Sequence, residues 1–151
     1  MPITVKLTDN LDAINAATEQ QIKRALIAVG MEAESNAKKE ITKAVYNTPQ
    51  SPSGYKRTGR LRNSITFALA GSQPNISSYK DDNQKEYGVS GSAGEAEHAV
   101  YVGTNVEYAQ YIELGTSKMK PRSYIKPAVT NSEYVDRYKE LVKDALKGGG
   151  T

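Results

Sequence analysis

The chain has 151 residues, enough for one domain with a buried core. Its formal net charge of +3 indicates at most a weak non-specific attraction to anionic partners and says nothing about the fold. It contains no cysteine, which excludes disulfides and thiolate metal sites and makes a cytosolic folding compartment the default expectation. No apolar run approaches the roughly 20 residues that span a bilayer, and residues 1–10 lack the apolar core of a signal peptide. Neither export nor a membrane partner is therefore expected.

The first predicted elements are a strand and a long helix. Residues 2–7 alternate apolar and polar side chains, as a half-buried strand does. A helix is expected over about Asn10–Val45, and at 1.5 Å per residue it would be about 50 Å long. That length exceeds what a domain of this size covers, so part of the apolar stripe is expected on a neighbouring subunit. The equal alternative is that Gly30 breaks or kinks the helix into two.

Three further strands are predicted from alternation and from the turn residues that bound them. Polar segments separate them, and the segment 71–84 is expected to be an exposed, mobile hairpin excursion. The predicted strands are 64–69, 85–90 and 98–102, and the predicted polar excursions are 47–58, 71–84 and 116–122.

The C-terminal part predicts a short helix, an extended arm and a last helix. Tyr108, Tyr111 and Ile112 share one helical face, and Gly115 can end that helix in a left-handed conformation. Residues 123–126 should be extended because a residue before proline avoids the α region. Pro127 then opens a helix over about 126–146. The apolar face of that helix would comprise Tyr134, Tyr138, Leu141, Val142 and Ala145.

The whole chain, residues 1–151, thus predicts a single α+β domain. It should have a mixed or antiparallel sheet of about four strands. A long N-terminal helix, a short helix and a C-terminal helix should pack on that sheet.

The sequence contains no recognisable catalytic, cofactor-binding or metal-binding motif. The single histidine, His98, lacks the further ligands that a metal site needs, and no G-x-S-x-G turn or P-loop is present. Ten tyrosines account for nearly all the aromatic residues, which favours half-buried surfaces and interfaces as well as a small core. The sequence therefore predicts a protein that is not an enzyme.

Two basic clusters, at 56–62 and 118–126, leave several interpretations open. The cluster at 56–62 could contact DNA phosphates, pair with carboxylates of an adjacent subunit, or remain solvated. Glu113 is a related puzzle, because a carboxylate near a helix C-terminus opposes the helix dipole. A basic partner such as Arg60 or Arg62, in the same or the next subunit, would compensate it, unless Glu113 points to water.

Two segments resemble a known family. The first reads TGRLRNSI at 58–65, similar to a TGxLRxSI pattern, and the second reads YAQYIELGT at 108–116, followed by a basic spacer and Pro121 to Ala128. Both resemble the tail-completion, or head–tail joining, neck proteins of lambda-like siphophages. The resemblance implies a ring-forming structural protein of the virion neck, assembled in the host cytoplasm. The ring, expected to be a hexamer, would cap the tail tube protein, dock to the head connector or adaptor, and let DNA pass through its lumen without sequence-specific binding.

On this interpretation the candidate residues form subunit or partner interfaces. The segments 71–84 and 116–122 are candidate docking arms. The alternative function is a small nucleic-acid-binding protein that uses the two basic clusters. The candidate interface residues are Arg60, Arg62, Tyr108, Tyr111, Glu113, Thr116, Lys118, Lys120 and Arg122.

Overall fold

The computed structural model describes residues 3–6 (backbone only), 19–46, 57–89, 91, 93–95, 98–118 and 120–147. The predicted start of the long helix at 10–18 and most of the predicted loop at 47–58 lie outside the described residues. In chain order the elements are β1 (Ile3–Lys6), α1 (Glu19–Ile41) with a π-helical turn (Thr42–Tyr46), α2 (Arg60–Ser64), β2 (Thr66–Leu69), β3 (Ser78–Lys80), β4 (Glu86–Gly88), β5 (Ala99–Gly103), α3 (Ala109–Leu114), α4 (Ile125–Thr130) and α5 (Ser132–Lys147).

The main sheet has three antiparallel strands in the order β1-β5-β2. Val100 of the central strand pairs with Val5 on one side and Leu69 on the other. Strands β3 and β4 form a separate antiparallel hairpin. The α+β class is confirmed, but the expected sheet of about four strands is divided into three strands and a hairpin.

Helix α1 lies on this sheet and runs through Gly30 without a break. The glycine is there because β2 and β5 approach closely: a Cβ atom at Gly30 would lie 2.5 Å from the Phe67 ring and 2.9 Å from a Val100 methyl. The apolar stripe of the described part of α1 is buried within the chain, so the prediction that this stripe extends onto a neighbour is wrong there. The buried apolar members are Ile22, Ala25, Leu26, Val29, Ala33, Ala37 and Ile41.

Helix α5 covers the other side of α1. Tyr138 joins three elements, since its hydroxyl donates to Ala128 O at 2.6 Å and accepts from Asn36 Nδ2 at 3.0 Å. Near the start of α5, the Tyr134 hydroxyl donates to Glu40 Oε1 at 2.7 Å. Helix α1 is therefore a central layer between the sheet and α5.

The C-terminal region contains two helices where the sequence predicted one. Asn131 has extended backbone after α4, and its side-chain oxygen accepts from the N–H of Glu133 at 3.0 Å, which caps α5. Helix α4 begins at Ile125, so the predicted extended arm over 123–126 ends earlier than expected. Pro127 lies within the first turn of α4, where its missing N–H costs nothing.

The segment 71–84 is folded against its own chain more than the sequence predicted. Gly71 donates to Gly94 O at 2.9 Å and Asn75 to Phe67 O at 2.9 Å. Asp81 is buried and accepts the N–H groups of Asn83 and Lys85 at 2.9 and 3.0 Å, which fixes the turn between β3 and β4. A single carboxylate thus fixes the turn of this hairpin. The first strand of the hairpin, β3, was not predicted because it carries too few apolar residues.

Candidate functional site

Glu113 on α3 binds the N-terminus of α4. One carboxylate oxygen accepts from the N–H groups of Tyr124 and Ile125 at 2.8 and 3.0 Å, and the other accepts from Lys126 at 2.9 Å. The carboxylate thereby satisfies the N–H groups that a helix N-terminus leaves without partners, and it lies at the positive end of the α4 dipole. Within the chain, the predicted pairing of Glu113 with Arg60 or Arg62 is wrong, because the Glu113 carboxylate binds backbone N–H groups.

Two more hydrogen bonds hold the segment that links α3 to α4, of which residues 115–118 and 120–124 are described and which we call the arm. The Ser123 hydroxyl donates to Glu113 O at 2.9 Å, and Arg122 N donates to Ile112 O at 2.7 Å. Gly115 ends α3 with φ 77° and ψ 175°, a conformation that glycine alone adopts readily. Its positive φ was predicted, although its ψ is extended and not left-handed helical. The two halves of the second motif, 108–116 and 121–128, are therefore one structural unit.

Tyr124 anchors this unit in the core. It is fully buried, and its hydroxyl is 3.4 Å from Ala109 O. Burial raises the pKa of the Tyr124 hydroxyl, with the Glu113 charge adding to the effect. The phenol therefore stays neutral and keeps its donor toward α3.

Arg60 lies among tyrosines at the base of the hairpin. Its guanidinium is 4.3 Å from the Tyr87 ring centroid and 5.8 Å from that of Tyr108, and its Nε is 3.4 Å from the Tyr79 hydroxyl. The Tyr79 and Tyr87 rings stack at 5.4 Å. Such cation–π contacts stabilise partly desolvated arginines. Arg60 thus brings the hairpin and the start of α3 together.

Arg62 is also held within the chain. One guanidinium nitrogen is 3.3 Å from Asp82 Oδ1, and the group lies 4.7 Å from the Tyr46 ring centroid. The adjacent Asn63 donates to Lys80 O at 2.9 Å. Asp82 also packs against Gly59. This glycine is the residue before α2 and has a φ of 74°.

The first motif, 58–65, therefore joins α2 to the hairpin. Asp82 and the two hairpin tyrosines, Tyr79 and Tyr87, complete the cluster around Arg60 and Arg62. These three residues were not among the predicted site residues. Asp82 follows a strand that alternation did not reveal, so little in the sequence pointed to it.

The exposed part of the candidate site lies on α3 and the arm. Tyr111 and Leu114 are 52% and 68% exposed, although both are large and apolar. Leu114 was not predicted as a site residue. Thr116, Lys118, Lys120, Arg122 and Lys126 are all exposed. Tyr108 and Glu113, which were also predicted as interface residues, are half-buried.

Within the described residues, the single histidine belongs to no metal-binding group. His98 lies 3.7 Å from Glu19, and no three side chains among the described His, Asp and Glu residues form a metal-binding group. None of the helices in the described part of the chain has the length and apolar character of a membrane span.

Comparison with known proteins identifies the family. A family model described as bacteriophage HK97-gp10, a tail component, matches residues 5–115. The match includes both 58–65 and α3 and ends at Gly115, so the arm, α4 and α5 lie beyond it. The chain matches no curated protein and no solved structure. Because the match covers well over half of the 151 residues, the chain belongs to the HK97-gp10-like family of bacteriophage tail components, structural proteins of the virion.

Proposed function

We propose that the protein is a tail-completion or head–tail joining subunit. On this proposal it forms a ring, with a hexamer as the expected form, that caps the tail tube and docks to the head connector at the virion neck. Assembly occurs in the host cytoplasm, and DNA passes through the lumen without sequence-specific binding. The protein acts by shape and self-association and carries out no catalysis.

The observation that carries this proposal is the exposed apolar pair Tyr111 and Leu114 beside a basic arm. Large apolar side chains that cluster on a surface mark interaction sites. The Glu113 contacts hold this surface in one conformation before any partner arrives, which lowers the entropic cost of docking. Family membership supports a partner within the virion.

The test is assembly on purified tail tubes. Tail tubes that lack this protein are mixed with the purified chain, and negative-stain microscopy scores rings at the tube end. The mass of the isolated chain is measured in parallel at high concentration. The expected result is a ring at one end of the tube and joining of tubes to heads when the chain is added. A chain that neither forms rings nor binds tubes contradicts the proposal.

The alternative, a nucleic-acid-binding protein, is favoured by one observation only. Lys118, Lys120 and Lys126 are exposed near Arg122. In the other cluster Arg60 and Arg62 already contact tyrosines and Asp82. Duplex DNA binding that persists at physiological salt, with a salt slope matching several phosphate contacts, would support this alternative. We expect binding to vanish near 0.15 M salt, about the physiological ionic strength.

A further inference from the structure

We infer that α3 of one copy of this chain inserts the Tyr111 side chain into a groove on the main sheet of the next copy. The groove lies on the face of the sheet that is turned away from α1, and Leu114 packs at its edge. This inference rests on the proposed ring and specifies which two surfaces meet in it.

The floor of the groove consists mostly of small side chains on β2 and β5. Phe67 of β2 faces Gly30 of α1, and side chains alternate along a strand, so the neighbours Thr66 and Ala68 lie on the opposite face of the sheet. The floor residues pair across the two strands as Thr66 with Gly103 and Ala68 with Tyr101. Val89 and Ala93 form part of the wall. A side chain from outside can therefore approach the sheet closely here.

The groove has room for one aromatic ring and favours a neutral occupant that brings a hydroxyl. Its volume is about 260 Å³, and a cavity of about 150 Å³ is enough to hold benzene. None of the described residues that line the groove carries a charge. Thr66 is 6% exposed, and its Oγ1 has no hydrogen-bond partner among the described residues. A buried hydroxyl without a partner is unfavourable, so an occupant with a hydroxyl is preferred over a purely apolar one.

Tyr111 is the exposed side chain that meets these conditions. Among the described residues the exposed large apolar side chains are Met31, Tyr111 and Leu114, and of these three only the tyrosine has a ring and a hydroxyl. Leu114 lies three residues after Tyr111, on the same face of α3. Docking of α3 into the groove would thus cover both exposed apolar side chains of this helix.

The charges around the two surfaces favour a second copy of this chain as the partner. The arm that follows α3 contributes Lys118, Lys120 and Arg122, and residues 114–132 contain no carboxylate. The segments that form the groove, 66–79 and 88–106, contain two glutamates and neither lysine nor arginine. One of these glutamates, Glu95, is exposed two residues after Ala93. A basic arm therefore meets an acidic edge, whereas two arms brought together would repel each other.

A contact between α3 and the groove joins two different surfaces of the same chain. Each copy offers its α3 to one neighbour and its groove to another, so the contact is head-to-tail. Such contacts close into a ring when the rotation permits. The proposed ring needs a contact of this kind.

The test blocks each surface separately and then mixes the two variants. Tyr111→Ala removes the inserted ring, and Ala93→Phe fills the groove, because Ala93 lines it and is half-buried. Each variant alone should associate at least about tenfold more weakly than the original chain. An equimolar mixture should form 1:1 pairs and no rings. Only the Ala93→Phe copy still carries Tyr111, and only the Tyr111→Ala copy still has an open groove, so each pair has no further contact to make. Sedimentation velocity measures all of these species.

Controls separate this inference from the proposed function. Met31→Ala removes an exposed apolar side chain from α1 and should associate as the original chain does. Circular dichroism and thermal unfolding of every variant establish that each is folded, and Val89→Trp, which also fills the groove, replaces Ala93→Phe where that variant unfolds. Normal association of either blocked variant, or a mixture without 1:1 pairs, overturns the inference and leaves the ring standing. An original chain that forms no ring, alone or on tail tubes, overturns both.

Discussion

At the scale of single residues, Glu113 shows how one side chain can organise a motif. A carboxylate near the end of a short helix is unfavourable in isolation, since it faces the negative end of that helix dipole. Here it lies at the positive end of another helix, α4, and accepts three backbone N–H groups. The interaction that makes the residue favourable thus comes from a segment more than ten positions later in the chain.

The replacement Glu113→Ala should lower the free energy of unfolding by about 2 kcal/mol, because three N–H groups lose a charged acceptor. Glu113→Gln should cost less, since one amide oxygen still accepts. Urea unfolding at neutral pH measures both. The exposed Glu107 is the matched control, and Glu107→Ala should change stability by less than about 0.5 kcal/mol. Equal effects of Glu113→Ala and Glu107→Ala would show that the contacts contribute nothing.

At the scale of elements, α1 is held by the sheet on one side and α5 on the other. The side facing the sheet requires a residue without a side chain at Gly30, where the Phe67 ring lies against the helix backbone. The side facing α5 carries Asn36 and Glu40, which bind tyrosine hydroxyls. Helix propensity alone would predict neither the glycine on one side nor the polar residues on the other, because each side is determined by the layer that packs against it.

Gly30→Ala should destabilise the protein by up to about 2 kcal/mol. Alanine gains about 1 kcal/mol of helix propensity, but overpacking against Phe67 and Val100 costs about 1–3 kcal/mol, so steric cost dominates. Ser35→Ala, at an exposed position of the same helix, should be neutral or slightly stabilising. Thermal unfolding distinguishes the two, and a rise in Tm for Gly30→Ala would contradict the close approach.

The hydrogen bond between α5 and α1 should make the free energy of unfolding depend on pH in the alkaline range. The bond from Tyr134 to Glu40 raises the pKa of the Tyr134 hydroxyl to about 12. In the unfolded chain a tyrosine ionises near pH 10. The contribution of this bond is therefore fully present below about pH 10 and is lost as pH rises toward 12.

Tyr134→Phe should cost about 1 kcal/mol at pH 8, the contribution of one hydrogen bond. Urea unfolding of both chains at several pH values measures this difference. The difference should shrink between pH 10 and 12, because ionisation of the unfolded tyrosine favours unfolding of the original chain alone. A difference that stays constant over this range would mean that the bond to Glu40 contributes no stability.

At the scale of the whole molecule, most large apolar side chains of the described residues are buried, and the exposed ones are Met31, Tyr111 and Leu114. Two of these three lie on α3, which is six residues long. Met31 is 58% exposed and lies on α1, apart from α3. This uneven distribution is the reason for proposing α3 as the partner surface.

Leu114→Ser should weaken ring assembly by about tenfold, the equivalent of roughly 1.4 kcal/mol, while leaving the isolated chain as stable as before. Met31→Ser is the matched control, because it removes an apolar side chain of similar exposure from another surface. Sedimentation velocity over a concentration series compares the two. Equal weakening by both substitutions would indicate non-specific association.

The sequence by itself determined the features that depend on neighbouring residues. Alternation predicted β1, β2, β4 and β5, the helical period predicted α1 as far as Val45 and the apolar face of α5, and Gly115 predicted the end of α3. Two short motifs also indicated the phage family that the comparison established. Such features follow from local backbone preferences and from the burial of one face of an element.

Only the tertiary structure decided which residues meet. It placed Glu113 on the N-terminus of α4, Arg60 between tyrosines, the short strand β3 in the hairpin, and the break at Asn131 between α4 and α5. It also left Leu114 exposed and covered the described apolar stripe of α1. Each outcome depends on hydrogen bonds, charges or shapes supplied by distant segments, and the pattern of one element carries no information about those partners.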